Sequence, residues 1–566
     1  MKKPLPIGFD NFEDIITKGY YYVDKTWFIK ELIDKHSSVN LFTRPRRFGK
    51  TLNLSMLRYF FERSEHDNCH LFQGLKIMEA GEKYTSHLGK HPVISLSLKS
   101  AKQPNFELAY ATLVDCIRDE YKRHSYLLDS NRLSEDEQHR YKLISSYEML
   151  DDSYYCRSLQ FLSQCLYQHH GQKVIILIDE YDVPLETAHF EEQQGERGFY
   201  KQMVSFIRSL LESALKTNEA LEFGIITGCL RITKESIFTG LNNLKVASVL
   251  DDKYSEHFGF TQTELSQMLG YYNLSDKEEL IKEWYDGYRF GTTEVYNPWS
   301  VINFVSDLIT NPNRLPTPYW ANTSSNSIVR SLIDRADEVI KKEIEDLMAG
   351  KTIEVSVCED ITYEDVYQSQ DNLWNFLFFT GYLKKVGERL SSGSKRIITL
   401  AIPNLEVSLI YDESICQWFK QQIAQKDLNS LYRSLLEGEV ATLTNELNQN
   451  LQESISYHDS AEAFYHGFLL GLLQHLRGYL VSSNREAGKG RYDLLIKTPT
   501  IRGGRAIIIE LKVSPKYQEL SVYCDLALEQ INAKNYAAEL AAEGYENIMS
   551  YGIAFFKKDC LVKLGR

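Results

Sequence analysis

The sequence predicts an α/β protein with a parallel sheet in its first part, a helical middle region and a compact α/β domain at its end. Three observations carry that prediction. Up to about residue 265, short β-rich runs alternate with helical stretches, as in a mostly parallel sheet covered on both faces. From 266 to 426 the pattern is largely helical, and from 427 helices lead again into strands. With 566 residues the chain is too long for one core, and the boundaries read as 1–265, 266–426 and 427–566.

The first part holds four candidate strands, VNLFT (39–43), PVISLSL (92–98), KVIILID (173–179) and EFGIITG (222–228). Val174 to Ile178 form an unbroken apolar run, the pattern of a strand buried on both faces. In the middle region, turns at WYDGYRFG and NPWS interrupt helices. ITYEDVYQSQDNLWNFLFFTGYLKKV then reads as helix, helix and strand, and RIITLAIPN as a strand. That is a winged-helix-like outline, with plain helical packing as the alternative. The last part opens with helices LYRSLLEGEVATLTNELNQN and SAEAFYHGFLLGLLQHL. Strands YDLLIK and AIIIELKV, the helix ALEQINAKNYAAELAA and the strand MSYGIAFF complete it.

Composition narrows the class. A hydrophobic share of 43% with 25% charged residues describes a globular protein. A net charge of -13 argues against coating duplex nucleic acid, so any such contact must use local basic patches. The nine cysteines never form C-x-x-C, which excludes a zinc knuckle and a disulfide frame and suits reduced cytoplasmic thiols. His169 and His170 with Cys165 read as a helix face, not as a metal set. NLWNFLFF and FLLGLL fall short of the roughly 20 apolar residues of a membrane helix, so no membrane partner is expected.

Two motifs carry chemistry. After the strand LFT comes Arg44-Pro45-Arg46-Arg47-Phe48-Gly49-Lys50-Thr51, leading straight into an apolar-periodic helix. This is the end of a P-loop with Arg44 where the pattern has glycine, a residue that does not easily take a positive φ. Lys50 would reach the β- and γ-phosphates, Thr51 would hold Mg²⁺, and Gly49 and Arg47 would line the phosphates. The strand of Val174–Ile178 ends in Asp179 and Glu180, an acid to anchor Mg²⁺ and an acid to activate the attacking water. Thr227, at the end of a third strand, would sense the γ-phosphate and Arg231 would help neutralise it. A strand-end cap and a surface arginine are the plain alternatives, and Asp182 reads as a turn residue.

The segments PIGFDNFEDI, YYVDKTWFIKELID, LFTRPRRFGKTLNLSML, VIILIDEYD, WYDGYRFG, VYNPWS and PYWANTSSN occur in order. Over most of residues 4–330 they resemble the bacterial AAA-ATPase-like family, in which Arg at the first P-loop position is usual. The resemblance implies a P-loop NTPase-type sheet that binds ATP with Mg²⁺. Tyr22, Asp24 and Lys25 match its Y-V-D-K-T segment and are expected to be structural, near the nucleotide pocket.

In the last part, Asp493 opens one strand, and Glu510 and Lys512 lie on the next as E-x-K, on one face by alternation. Two carboxylates with the Leu511 carbonyl suit a divalent cation that lowers the pKa of a bound water, and the lysine stabilises developing charge. Glu462 or Glu486 would be a third metal ligand. Gln530, with Lys534 or Tyr536, would contact phosphate. The pieces YHG, S-N-R-E-x-G-x-G-R-x-D, E-x-K and Q-I-x-x-K-x-Y, over about 460–540, resemble the PD-(D/E)XK nuclease superfamily. That implies a restriction-endonuclease-like α/β fold, Asp493, Glu510 and Lys512 as catalytic core and Gln530 as motif residue. It also implies Mg²⁺ or Mn²⁺ as metal and DNA as substrate, with RNA the alternative.

The expected function is an ATP-regulated, metal-dependent nuclease in the cytoplasm. An ATP-dependent switch or scaffold and a DNA-binding regulator are the alternatives, and oligomerisation is left open.

Overall fold

The computed structural model describes the chain except residues 1, 36, 65–66, 149, 194–198, 217, 233–236, 239–242, 321–328, 330–337, 364, 367, 392–394, 424–426, 455–461, 475, 484–491, 502 and 566. It divides into two compact units. One comprises Met1–Pro312 and Val355–Leu400, the other Asn313–Glu354 and Ala401–Arg566. Residues 266–426 are thus shared between the units.

The first unit is built on five parallel strands, β1 (Val39–Thr43), β2 (Val93–Ser97), β3 (Val174–Asp179), β4 (Leu221–Gly228) and β5 (Leu244–Ala247). Their order is β2-β3-β4-β1-β5. Every residue of β1 and β3 is buried. Their apolar residues leave no polar face, so helices must cover both sides. Phe106–Arg123, Ser158–His170 and Tyr200–Leu215 are amphipathic covers, each with most of its apolar positions buried. The strand order sets β4 between the strand that feeds the P-loop and the strand that ends in Asp179. Strand β5 was not anticipated. It is four residues long and only its last residue is fully buried, so it carries no periodic signal.

Outside this sheet, WYDGYRFG carries β6 (Tyr288–Phe290), which pairs antiparallel with β7 (Thr293–Val295) just after it. A small sheet of β8 (Ile353–Ser356), β9 (Lys384–Leu390) and β10 (Arg396–Ala401) has the order β8-β10-β9. Of the helix pair read in ITYEDVYQSQDNLWNFLFF, one helix forms, Gln370–Thr380. Its start is set by Ser369, whose side chain accepts from Asn372 N–H, the usual role of an N-cap serine. Among the described residues of 361–369 no helix is present.

The second unit carries β11 (Leu480–Ser483), β12 (Leu494–Lys497), β13 (Arg505–Val513), β14 (Asn547–Phe556) and β15 (Asp559–Leu564), in that spatial order. Only β13 and β14 run parallel. The long helical run read at 527–542 is two helices, Leu520–Ala533 and Tyr536–Glu543, broken at Asn535, which adopts a left-handed φ of 56°. Ile531, Tyr536 and Leu540 from these helices pack on Leu495, Ala506 and Ile508 of the sheet. By alternation, Asp493 shares the face of Leu495, and Glu510 and Lys512 share that of Ile508. No described helix is long and apolar enough to cross a membrane.

Helix Leu520–Ala533 lies close to the sheet because β14 has Gly552 beneath it. A β-carbon on Gly552 would stand 2.4 Å from the Cys524 carbonyl oxygen. In the β13–β14 register, Gly552 is the neighbour of Glu510, so this close approach also brings the helix to that acid. Gly552→Ala should therefore push the helix outward and destabilise the unit by about 1–3 kcal/mol, as overpacking does. A lower urea midpoint measures it, and an unchanged midpoint would refute this packing argument.

Candidate functional sites

The loop of Arg44 to Thr51 takes its shape from positions other than the one that lacks glycine. Its left-handed residues are Arg47 (φ 69°) and Gly49 (φ 84°), and Arg44 is not among them. Arg44 is fully buried. Its guanidinium donates to the carbonyls of Thr43 (2.9 Å) and Ala247 (2.8 Å) and lies 5.0 Å from the ring centres of both Phe258 and Phe290. Burial pushes that guanidinium down to about 9. Arg44 therefore fastens the end of β1 to β5.

Gly49 caps helix Lys50–Phe61, so the helix's first N–H groups face the loop. The Lys50 ammonium is buried and donates to the carbonyls of Arg44 and Pro45, both at 3.0 Å, curling the loop around itself. Asp179, at the end of β3, is met from both sides. The Thr51 hydroxyl donates to its Oδ2 at 2.7 Å, and the Thr227 hydroxyl donates to its Oδ1. Burial raises the Asp179 carboxyl while the two hydroxyls oppose the shift. Glu180 follows in a left-handed conformation, φ 49°. Thr51 and Asp179 are hard oxygen donors beside an ammonium, a set that fits Mg²⁺ on a triphosphate.

The other arginines are differently employed. Arg46 pairs with Glu186. Arg231, expected from the sequence to help neutralise the γ-phosphate, pairs with Asp360 at 3.0 Å. Asp182 lies in a turn, as expected from the sequence, and is buried there; its Oδ2 accepts from the N–H groups of Cys229 (2.7 Å) and Leu230 (3.0 Å). It shapes the chain after β4, with burial raising its carboxyl to about 6. Lys25 donates to the Glu256 carbonyl and to Glu264, and Asp24 accepts from Thr26 N–H, both structural contacts.

The second constellation lies on β12 and β13. The residue before the Leu494–Ile509 pair brings Asp493 alongside Glu510. Asp493 Oδ2 accepts from Leu511 N–H at 2.7 Å, which fixes the carboxylate against β13. Glu510 is 2% exposed. Its Oε1 accepts from the Gln530 amide and has the Lys512 ammonium at 3.5 Å, whereas its Oε2 is buried with no hydrogen-bond partner among the described residues. Burial first, and the Asp493 charge second, raise the Glu510 carboxyl to about 7. An orphaned buried carboxylate oxygen beside a second carboxylate fits a divalent cation. Among the described residues no three His, Cys, Asp or Glu cluster as a metal set.

The remaining sequence candidates separate. Glu462 is exposed at the start of helix Glu462–Leu473. One turn later His466 Nε2 lies 3.3 Å from the Asp493 carbonyl and 2.9 Å from Ser483 Oγ. Glu486 lies outside the described residues. The Gln530 amide donates to Glu510. Tyr536 is buried in the core, its ring 5.8 Å from that of Tyr492, and Lys534 is exposed. The supporting contacts of His466 and Asp182 were not read from the sequence, because their partners lie 17 to 48 residues away.

Residues 6–238 match the family described as a predicted AAA-ATPase, and residues 460–564 match the PD-(D/E)XK nuclease superfamily. An uncharacterized protein of the vnfD 5′ region of Azotobacter chroococcum mcd 1 is 26% identical over 576 residues, covering 98% of this chain and 96% of that protein. No solved structure matches.

Glu510 sets a pH test. Its ordinary value is 4.5, and the folded chain holds the proton up to about 7. Between those values the folded state binds the extra proton, so this group's stabilising effect is lost as pH rises through the window and levels off above it. The metal-free protein should show that fall in its denaturation midpoint, and Glu510→Gln should make it shallower while other raised acids such as Asp182 keep the rest. Equal slopes in the two proteins would exclude the assignment.

Proposed function

We propose that this chain, which joins an AAA-ATPase-like segment to a PD-(D/E)XK nuclease-type segment, binds and hydrolyses ATP and cleaves DNA phosphodiesters with a divalent cation. The observation that carries the nuclease reading is the Glu510 side chain. An acid buried between Asp493, Lys512 and Gln530, with one oxygen unmatched among the described residues, is a costly arrangement for stability alone. Buried, perturbed carboxylates in such company are typical of functional sites.

Asp493 and Glu510 would hold the cation, which supplies Lewis acidity and a water of lowered pKa. Lys512 compensates the charge that builds on the phosphate as the phosphodiester is attacked. Gln530 keeps the Glu510 carboxylate in one orientation, and the Leu511 N–H does the same for Asp493. At the nucleotide site, Lys50 would leave the loop carbonyls for the β- and γ-phosphates. Thr51 and Asp179 would hold Mg²⁺, Thr227 would keep Asp179 in place, and Glu180 would accept a proton from the attacking water. ATP occupancy would license cutting.

The test uses the full chain and its Lys50→Ala, Asp493→Ala and Lys512→Ala variants. ATP hydrolysis and cleavage of plasmid DNA, linear DNA and RNA are followed with Mg²⁺ or Mn²⁺. Lys50→Ala should lose ATP hydrolysis, and Asp493→Ala should lose cleavage while keeping hydrolysis. Lys512→Ala should slow cleavage by about 10²–10³-fold, the usual loss for one stabilising donor. A wild type inert in both assays would sink the enzyme reading, and DNA binding without cutting would favour a regulator.

A further inference from the structure

The arginines around the nucleotide pocket are anchored in different ways. Arg44 is fastened between two rings, Arg46 faces Glu186, and Arg231 faces Asp360. The Arg47 guanidinium instead lies over the Trp299 ring, 4.4 Å from its centre. Burial lowers the Arg47 guanidinium, and the Glu180 carboxylate acts against that shift, so the two side chains feel each other. Both residues hold left-handed backbone, at 69° and 49°. Strained non-glycine residues of this kind persist where the surroundings over-determine them, and they cluster at ligand clamps.

Trp299 is itself fixed. It is the second residue of helix Pro298–Thr310, whose cap Asn297 is fully buried and accepts from Trp299 N–H at 3.0 Å. Pro298 presets the first helical φ. Tyr296 is tied to Phe260 by paired backbone hydrogen bonds of 2.8 and 3.1 Å. The NPWS segment thus holds an indole in one place beside the phosphate loop.

We propose that Trp299 is a positioning residue for Arg47, and that Arg47 is the cation that meets the phosphate chain of a nucleoside triphosphate opposite Glu180. The inference rests on the ATP reading above. An indole face attracts a guanidinium and leaves its N–H edge available for two parallel hydrogen bonds to phosphate oxygens. In hydrolysis the water oxygen bonds to the γ-phosphorus as the bond to the β–γ bridging oxygen breaks. The electron pair leaves with ADP, and one water proton passes to Glu180. A guanidinium already in place stabilises the charge that shifts in that step.

The experiment compares the full chain with Trp299→Ala, Trp299→Phe, Arg47→Gln, Lys50→Ala and the Trp299→Ala/Arg47→Gln double variant. ATP turnover, equilibrium binding of Mg·ADP and Mg·ATP, and intrinsic tryptophan fluorescence are measured. Trp299→Ala and Arg47→Gln should each lower kcat about tenfold or more, with Mg·ADP affinity within about threefold of wild type. The double variant should be no slower than the slower single, because the two side chains act as one unit. Trp299→Phe should retain most of the rate, and the fluorescence change on adding Mg·ATP should shrink in that variant. Wild-type kcat in Trp299→Ala, or additive losses in the double variant, would overturn the proposal. If Lys50→Ala binds and hydrolyses ATP like wild type, the ATP reading falls and this one with it. If Lys50→Ala is inactive and Trp299→Ala is normal, this inference alone falls.

Discussion

A carboxylate carried into the interior by an apolar strand must be met by donors or by a cation, since leaving it unmatched costs several kcal/mol. Both candidate sites are organised by that requirement. Strand β3 delivers Asp179 into a buried position, and Thr51 and Thr227 supply one hydroxyl to each oxygen. Strand β13 delivers Glu510, and there the match is incomplete, because Gln530 and Lys512 serve one oxygen and the other has none among the described residues. The first site is satisfied through its own hydroxyls, and the second holds its acid near neutrality by keeping the proton.

The topology makes these meetings possible. Placing β4 between β1 and β3 sets Thr227 between the loop and the acid, so one strand end supports both. In the second unit, the missing side chain at Gly552 lets a helix settle close enough for Gln530 to reach Glu510. Position in the sheet and close packing thus act before any side chain does chemistry.

The central strands were legible because they are continuous apolar runs with no other stable home. The strands β5, β11 and β15 were not, since short or half-exposed edges lack that signal. The motif residues Lys50, Thr51, Asp179, Asp493, Glu510 and Lys512 stood out by spacing. Their supports did not: Asp182, His466 and Trp299 act through contacts distant in sequence, which no local pattern encodes. Reading Arg44 as an obstacle assumed that the left-handed turn falls at its position. In the fold it falls at Arg47 and Gly49, which leaves Arg44 to serve packing.

That packing has a consequence for how the loop meets a ligand. A guanidinium gripped by two aromatic rings and two carbonyls joins the end of β1 to the outermost strand of the sheet. The base of the loop is therefore anchored to the sheet at both β1 and β5. On the proposed reading, phosphate capture would chiefly exchange the carbonyls held by the Lys50 ammonium for a stronger acceptor. Such a cradle loses little chain entropy on capture, so affinity would be governed by this exchange of acceptors and not by loop closure.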